Sequence, residues 1–224
     1  MGERNSKSRC NLSSSKISRI QQKLITWGKT HYAIFPWRSS ENDFHALVAE
    51  IMLQRTKAEQ VVSVYNEFVS KYREAKDVSS EDPVEILRIL KPLGLTWRAK
   101  KIVEFATELD HRGNIVPKTF DELIVLPGIG TYATCAFLSF HSEIREPIVD
   151  TNVIRLWTRV FGLKRKKEMR RNKGFLALAD KITPAKEFKN FNYAILDHTR
   201  TICKRIPLCK KCPISFCCDY FHTS

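Results

Sequence analysis

The stretch Leu126-Pro127-Gly128-Ile129-Gly130-Thr131-Tyr132-Ala133 decides how this chain is read. Proline ends the helix before it, because it has no N–H to give to the preceding turn. Two glycines around one apolar residue then allow a tight hairpin whose backbone N–H groups point outward. The next helix starts beside them. Gly128, Gly130 and Thr131 thus outline an anion site suited to a phosphate, with a monovalent cation assisting at the hairpin. An ordinary helix–turn–helix corner fits Pro-Gly-x-Gly equally well. What separates the two comes 20 residues after Gly130, where Val149-Asp150-Thr151-Asn152 opens another helix.

On both sides of the hairpin the apolar residues recur with the helical period. Ile17, Ile20, Leu24 and Trp27 mark one face, with serines ahead of it as caps. Phe44, Leu47, Val48 and Ile51 mark a second face, and Val61, Val64, Tyr65, Phe68 and Tyr72 a third. Asp82-Pro83-Val84-Glu85 reads as a cap, a first-turn proline and an N3 glutamate. Ala99, Ile102, Val103 and Ala106 stripe the next helix, and Thr119 with Glu122 forms a capping box before a short one. Val153, Leu156, Trp157, Val160 and Phe161 follow Asp150, and Phe188, Phe191, Ile195, His198 and Ile202 lead into a cysteine cluster. The charged run 164–171 breaks the period and reads as a solvated loop, only secondarily a phosphate-facing one. No segment alternates as a strand would, so the expected fold class is all-α.

With 224 residues, 43% of them hydrophobic, the chain has the means to bury a core, which excludes disorder and disulfide miniproteins. Lys and Arg number 38 against 24 acids, a formal net charge of +14. Such self-repulsion is tolerated by proteins whose partner is a polyanion, either nucleic acid or an anionic membrane. No apolar run reaches the length of about 18 residues that a spanning helix needs. The polar, serine-rich segment 1–16 lacks the apolar centre of a signal peptide. The expectation is a cytoplasmic protein, nucleoid-associated if prokaryotic, with no secretion signal and no membrane contact. In that reducing setting the seven cysteines are free or metal-bound. Five of them, Cys203, Cys209, Cys212, Cys217 and Cys218, crowd into the last 22 residues. Four thiolates in so short a loop bind metal, and zinc and an iron–sulfur cluster are both candidates.

Leu126 to Ala133 together with Ile148 to Arg155 resembles the helix-hairpin-helix DNA glycosylase superfamily, which includes endonuclease III and the MutY-type adenine glycosylases. The likeness runs from Phe35-Pro36-Trp37-Arg38 through Ala49-Glu50-Ile51-Met52-Leu53-Gln54-Arg55-Thr56 and Leu93-Gly94-Leu95 to Cys218. It implies two helical domains flanking a DNA-binding cleft. A six-helix barrel with the hairpin would occupy 37–136. A second domain would join 15–36 to 137–224 and carry the cluster loop, after a flexible basic tail over 1–14.

The resemblance also implies roles. Asp150 takes the place of the catalytic aspartate, whose charge stabilises the oxocarbenium-like sugar and orients the attacking water; capping its helix is a compatible second role. Tyr132 stands where endonuclease III-like enzymes carry a nucleophilic lysine. A phenol cannot form an imine, so a monofunctional enzyme that leaves an abasic site is expected. Glu50 matches a carboxyl group of the base pocket, which in a purine enzyme protonates N7 and with a pyrimidine holds water or the base edge. Tyr193, standing where the adenine branch has Gln, joins Ala58 and Asn152 in the base pocket. Arg55 and Leu95 are the residues that enter the duplex when a base is extruded, with Gln54 beside them on the DNA.

Tyr193, Ala58 and Arg55 look more like the Mig-type thymine-mismatch branch than the adenine branch. The expected substrate is double-stranded DNA carrying thymine or uracil opposite guanine, bound by a monomer. The alternatives are a MutY-like adenine glycosylase acting opposite 8-oxoguanine, and a helix-hairpin-helix protein that binds DNA without catalysis. The family holds a 4Fe–4S cluster with cysteine gaps of six, two and five. Here the gaps are five, two, and four or five, so Cys203, Cys209 and Cys212 are ligands and the fourth is Cys217 or Cys218, with Cys218 preferred.

Overall fold

A computed structural model describes residues 13–94, 96–165 and 167–223. The chain is helical, with no strand among the described residues. Most of the expected 1–14 tail and Leu95 lie outside them. The chain divides into two compact units, Ile34–Ile144 and Met1–Ala33 with Arg145–Ser224. The division falls at 144/145 rather than 136/137, because Thr131–His141 is one uninterrupted helix.

The central unit holds α2 (Asp43–Met52), α3 (Ala58–Lys71), α4 (Ala75–Ser79), α5 (Pro83–Leu90), α6 (Trp97–His111), α7 (Phe120–Ile124) and α8 (Thr131–His141). Leu47, Val48, Ile51 and Met52 of α2 are fully enclosed, as are Phe68, Ile102, Phe105 and Phe137 from the helices around it. At about 1.5–3 kcal/mol for each such side chain, this burial outweighs every surface contact in the unit. Asp82 caps α5 as its sequence suggests, its Oδ1 accepting from Val84 N at 2.9 Å. Glu85 turns outward instead of closing the box and pairs with Lys71 and Arg88, both at 2.8 Å. Thr119 likewise donates its hydroxyl to the Glu122 carboxylate, and no side chain caps the backbone of α7.

The second unit holds α1 (Ser14–Gly28), α9 (Thr151–Val160), α10 (Lys173–Ile182), α11 (Phe188–Thr201) and α12 (Asp219–Thr223). Ser13 caps α1 through Lys16 N, and Ile17, Ile20 and Leu24 are buried while Trp27 is half-buried. Trp27 packs edge-on against the buried His198 ring. Helices α1 and α11 approach closely at Gly28, where a Cβ would lie 2.6 Å from Tyr32 Cε1 and 2.8 Å from Ala194 Cβ. The charged run is not wholly solvated, because Met169 in the turn Met169–Arg171 is buried. No helix among the described residues is long and apolar enough to cross a membrane.

Candidate active site

The hairpin lies between α7 and α8, as its sequence requires. Gly128 has φ +80, a left-handed backbone that favours glycine. A Cβ there would also meet Ile51 Cδ1 and Lys101 Cβ at 3.2 Å. Ile129 is buried and anchors the turn, while Gly130 and Thr131 are exposed. Helix α8 starts at Thr131 with no side-chain cap, so its first N–H groups are available to an anion. Gln54 Nε2 donates to the Gly128 carbonyl at 2.8 Å, tying the segment after α2 to the hairpin. Arg55, next along, is exposed and adopts φ +59. Ala58 begins α3, half-buried, and Tyr132 is half-buried in the first turn of α8.

Glu50 sits near the end of α2 among Ile51, Met52 and Val48, which leaves it only 8% exposed. Its Oε2 is enclosed without a hydrogen-bond partner. Burial pushes its pKa up to about 8, and the Arg38 charge only partly offsets that. The group is therefore a neutral carboxylic acid near pH 7, able to donate a proton.

Asp150, in the second unit, has the opposite surroundings. It is the N-cap of α9, and its Oδ1 accepts from Asn152 N at 2.9 Å and Val153 N at 2.6 Å. Its Oδ2 accepts from Asn152 Nδ2 at 2.8 Å. Three N–H donors at a helix N-terminus hold the carboxylate in one orientation. Asn152 is itself held by Arg155, whose Nη1 donates to Asn152 Oδ1 at 2.8 Å. Arg155 also donates to the carbonyls of Cys203 and Thr199. Sequence reading passed over Arg155, although its place three residues after Asn152 on one helix put the two within reach.

Tyr193 is half-buried on α11, and its ring meets Tyr32 edge-on at 6.4 Å between centroids. Asp150, Asn152 and Tyr193 thus belong to the second unit, and Glu50, Gln54, Arg55, Ala58, Gly128, Gly130, Thr131 and Tyr132 to the central one.

The C-terminal cysteines fall into a set of four and one apart. Burial pushes the Cys212 thiol up to about 12, and Cys218, Cys203 and Cys209 all lie near enough to raise it further. Cys217 instead donates its thiol to the Ile214 carbonyl at 3.3 Å. Two side chains that sequence reading missed approach the sulfurs. His198 Nε2 is 3.3 Å from Cys212 Sγ, and Arg159 Nη1 donates to Cys203 Sγ at 3.5 Å. No three His, Cys, Asp or Glu side chains among the described residues stand close enough to share one metal ion. Lys204, Arg205, Lys210 and Lys211 are exposed on the same loop.

A family model for the HhH-GPD superfamily base excision DNA repair protein matches residues 48–180. Similar proteins include the thymine-DNA glycosylase of Aeropyrum pernix, 34% identical over 94% of this chain and 98% of its own. The thymine/uracil-DNA glycosylase of Methanothermobacter thermautotrophicus is 30% identical over 89% of this chain and 91% of its own. The adenine DNA glycosylase of Mycolicibacterium smegmatis is 31% identical over 87% of this chain and 67% of its own. Among solved structures, a thermostable thymine-DNA glycosylase superposes with a TM-score of 0.88 at 29% identity, covering 94% of this chain and 98% of that one. An endonuclease III–DNA complex shares the fold, with a TM-score of 0.80 at 22% identity over 94% of this chain and 97% of that one.

Proposed function

Because the chain belongs to the HhH-GPD superfamily of base excision DNA repair proteins, we propose that it hydrolyses the N-glycosidic bond of thymine or uracil mispaired with guanine in duplex DNA. It is a DNA N-glycosylase, and two carboxyl groups in contrasting surroundings, Glu50 and Asp150, carry the proposed mechanism. Water adds across the bond between C1′ and the base: hydroxyl goes to C1′ and a proton to the departing pyrimidine. Asp150, held in one orientation by its three donors, stabilises the developing sugar cation and takes the proton of the water. Glu50, kept neutral by burial, donates to a carbonyl oxygen of the leaving base. Tyr132 offers no amine, so the product is an intact strand with an abasic site. Arg55 and Leu95 fill the space the base leaves, Gln54 supports them, and Gly128, Gly130 and Thr131 hold a phosphate with a monovalent cation. Tyr193, Ala58 and Asn152 shape the base pocket.

The choice of thymine and uracil rests on the relatives named for those bases, similar along nearly the whole of both chains. Tyr193 in place of Gln agrees with it. Base release from G·T, G·U and 8-oxoguanine·A duplexes, with and without alkali, is the deciding experiment. Release from the first two alone, with nicks only after alkali, is expected; release from the third alone overturns the substrate.

The cysteines suit an iron–sulfur cluster held by Cys203, Cys209, Cys212 and Cys218. Four thiols within electrostatic reach of one another support that reading, as do the His198 and Arg159 side chains beside the sulfurs. Such a cluster would order the loop that presents Lys204, Arg205, Lys210 and Lys211 to phosphates. Iron and sulfide content with brown colour are expected in purified protein, lost in Cys218→Ser and kept in Cys217→Ser. Stoichiometric zinc instead would refute the cluster.

A further inference from the structure

Arg98, the second residue of α6, is completely buried, and only Trp157 is larger among the fully enclosed side chains. No carboxylate pairs with it among the described residues, and its Nε has no hydrogen-bond partner. Burial and the neighbouring Arg55 charge both hold its pKa below the usual guanidinium value. It also stands at the positive end of a helix. An apolar residue would avoid all of these costs, because an unpaired charge in the interior is strongly destabilising.

The gain is visible in what its two amino groups reach. Nη2 donates to the Gln54 carbonyl, and Nη1 to the Leu93 carbonyl at 3.4 Å. Gln54 precedes Arg55, whose φ of +59 is a strained backbone that persists only where its surroundings fix it. Leu93 ends the short turn Lys91–Leu93 and leads through Gly94, at φ +82, towards Leu95. The Gln54 side chain continues to the hairpin carbonyl of Gly128. One planar guanidinium therefore bridges two turns that are far apart in sequence, and a single ammonium could not span both carbonyls.

We infer that Arg98 is a positioning residue for base extrusion, holding the Arg55 turn and the Leu93–Gly94 turn in register so that both enter the duplex together. This rests on the reading of Arg55 and Leu95 as the residues that enter the duplex. It places the effect of Arg98 on opening the base pair and not on breaking the glycosidic bond.

The test compares single-turnover base release from a G·T pair with release of the same thymine opposite an abasic site, where no pair has to be broken. Arg98→Lys and Arg98→Gln are measured alongside wild type and Arg55→Ala, with thermal unfolding of each. Arg98→Lys is expected to slow the paired substrate by about tenfold to a hundredfold and the unpaired one by less than about threefold. Equal slowing of both substrates, no slowing of either, or failure of both Arg98 variants to fold would overturn the inference. If Arg55→Ala leaves the paired rate unchanged, the reading of the Arg55 turn itself fails. If it slows that rate and the Arg98 variants do not, only the role of Arg98 fails. Should wild type release another base instead of thymine, the same two-duplex comparison applies to that base.

Discussion

Glu50 and Asp150 carry the same functional group in opposite settings, one in each unit. The end of α2 encloses Glu50 in aliphatic side chains and leaves an oxygen unpartnered. The start of α9 surrounds Asp150 with N–H groups that are themselves anchored through Asn152 and Arg155. Local structure therefore sets both environments: burial favours the protonated form of Glu50, and N–H donors fix the orientation of Asp150. A helix interior withholds backbone donors, and a helix N-terminus supplies them.

The contrast breaks most completely at Asp150. Asp150→Asn is expected to lower base release by about a thousandfold or more, since an amide cannot supply the negative charge. Asn is a good cap, so the melting temperature and affinity for uncleaved duplex should change little. Near-normal turnover would show that the anion lies elsewhere.

Glu50→Gln comes next, with a loss of about a hundredfold at pH 7. The wild-type rate should fall as pH rises through about 8, and the Gln variant should lose that limb. Stability supplies a second check. The folded carboxyl titrates above its ordinary value of 4.5, so its contribution is complete below 4.5 and declines as pH rises to about 8. Chemical denaturation across that window should find wild type losing a few kcal/mol relative to Glu50→Gln. Parallel stability curves would mean that Glu50 is charged at neutral pH.

Arg155→Met tests whether the Asp150 setting depends on its outer support. We expect about a tenfold loss in base release, from a carboxylate no longer held in one orientation. A loss as large as that of Asp150→Asn would mean that α9 had been disrupted, which circular dichroism would detect. The smallest effect is a gain. Tyr132→Lys should nick a minor fraction of product strands without alkali, trappable by borohydride, because only an amine forms the imine.

Much of this was legible in the sequence because the informative residues act locally. Pro127, Gly128 and Gly130 dictate a turn, and Asp150 caps the helix it precedes. Arg98 was not legible. Beside Trp97 and before Lys100 and Lys101 it resembles one more surface cation, and its partners are the carbonyls of Gln54 and Leu93. At Asp82 the cap formed while Glu85 turned to Lys71 and Arg88, whereas Thr119 and Glu122 bound each other and left the α7 backbone uncapped, a competition that a sequence pattern does not weigh. Cys217 and Cys218 could not be told apart by spacing, whereas in the folded loop they face different partners.

Gly28 has a further consequence. With Tyr32 and Ala194 where its own side chain would stand, the spacing between α1 and α11 is set by a missing methyl group. Tyr193 is the neighbour of Ala194 and touches Tyr32, so that spacing also fixes how the tyrosine is aimed. A library randomised at position 28 should therefore return altered base preference as well as lowered stability, a substrate change selected at a residue with no access to substrate.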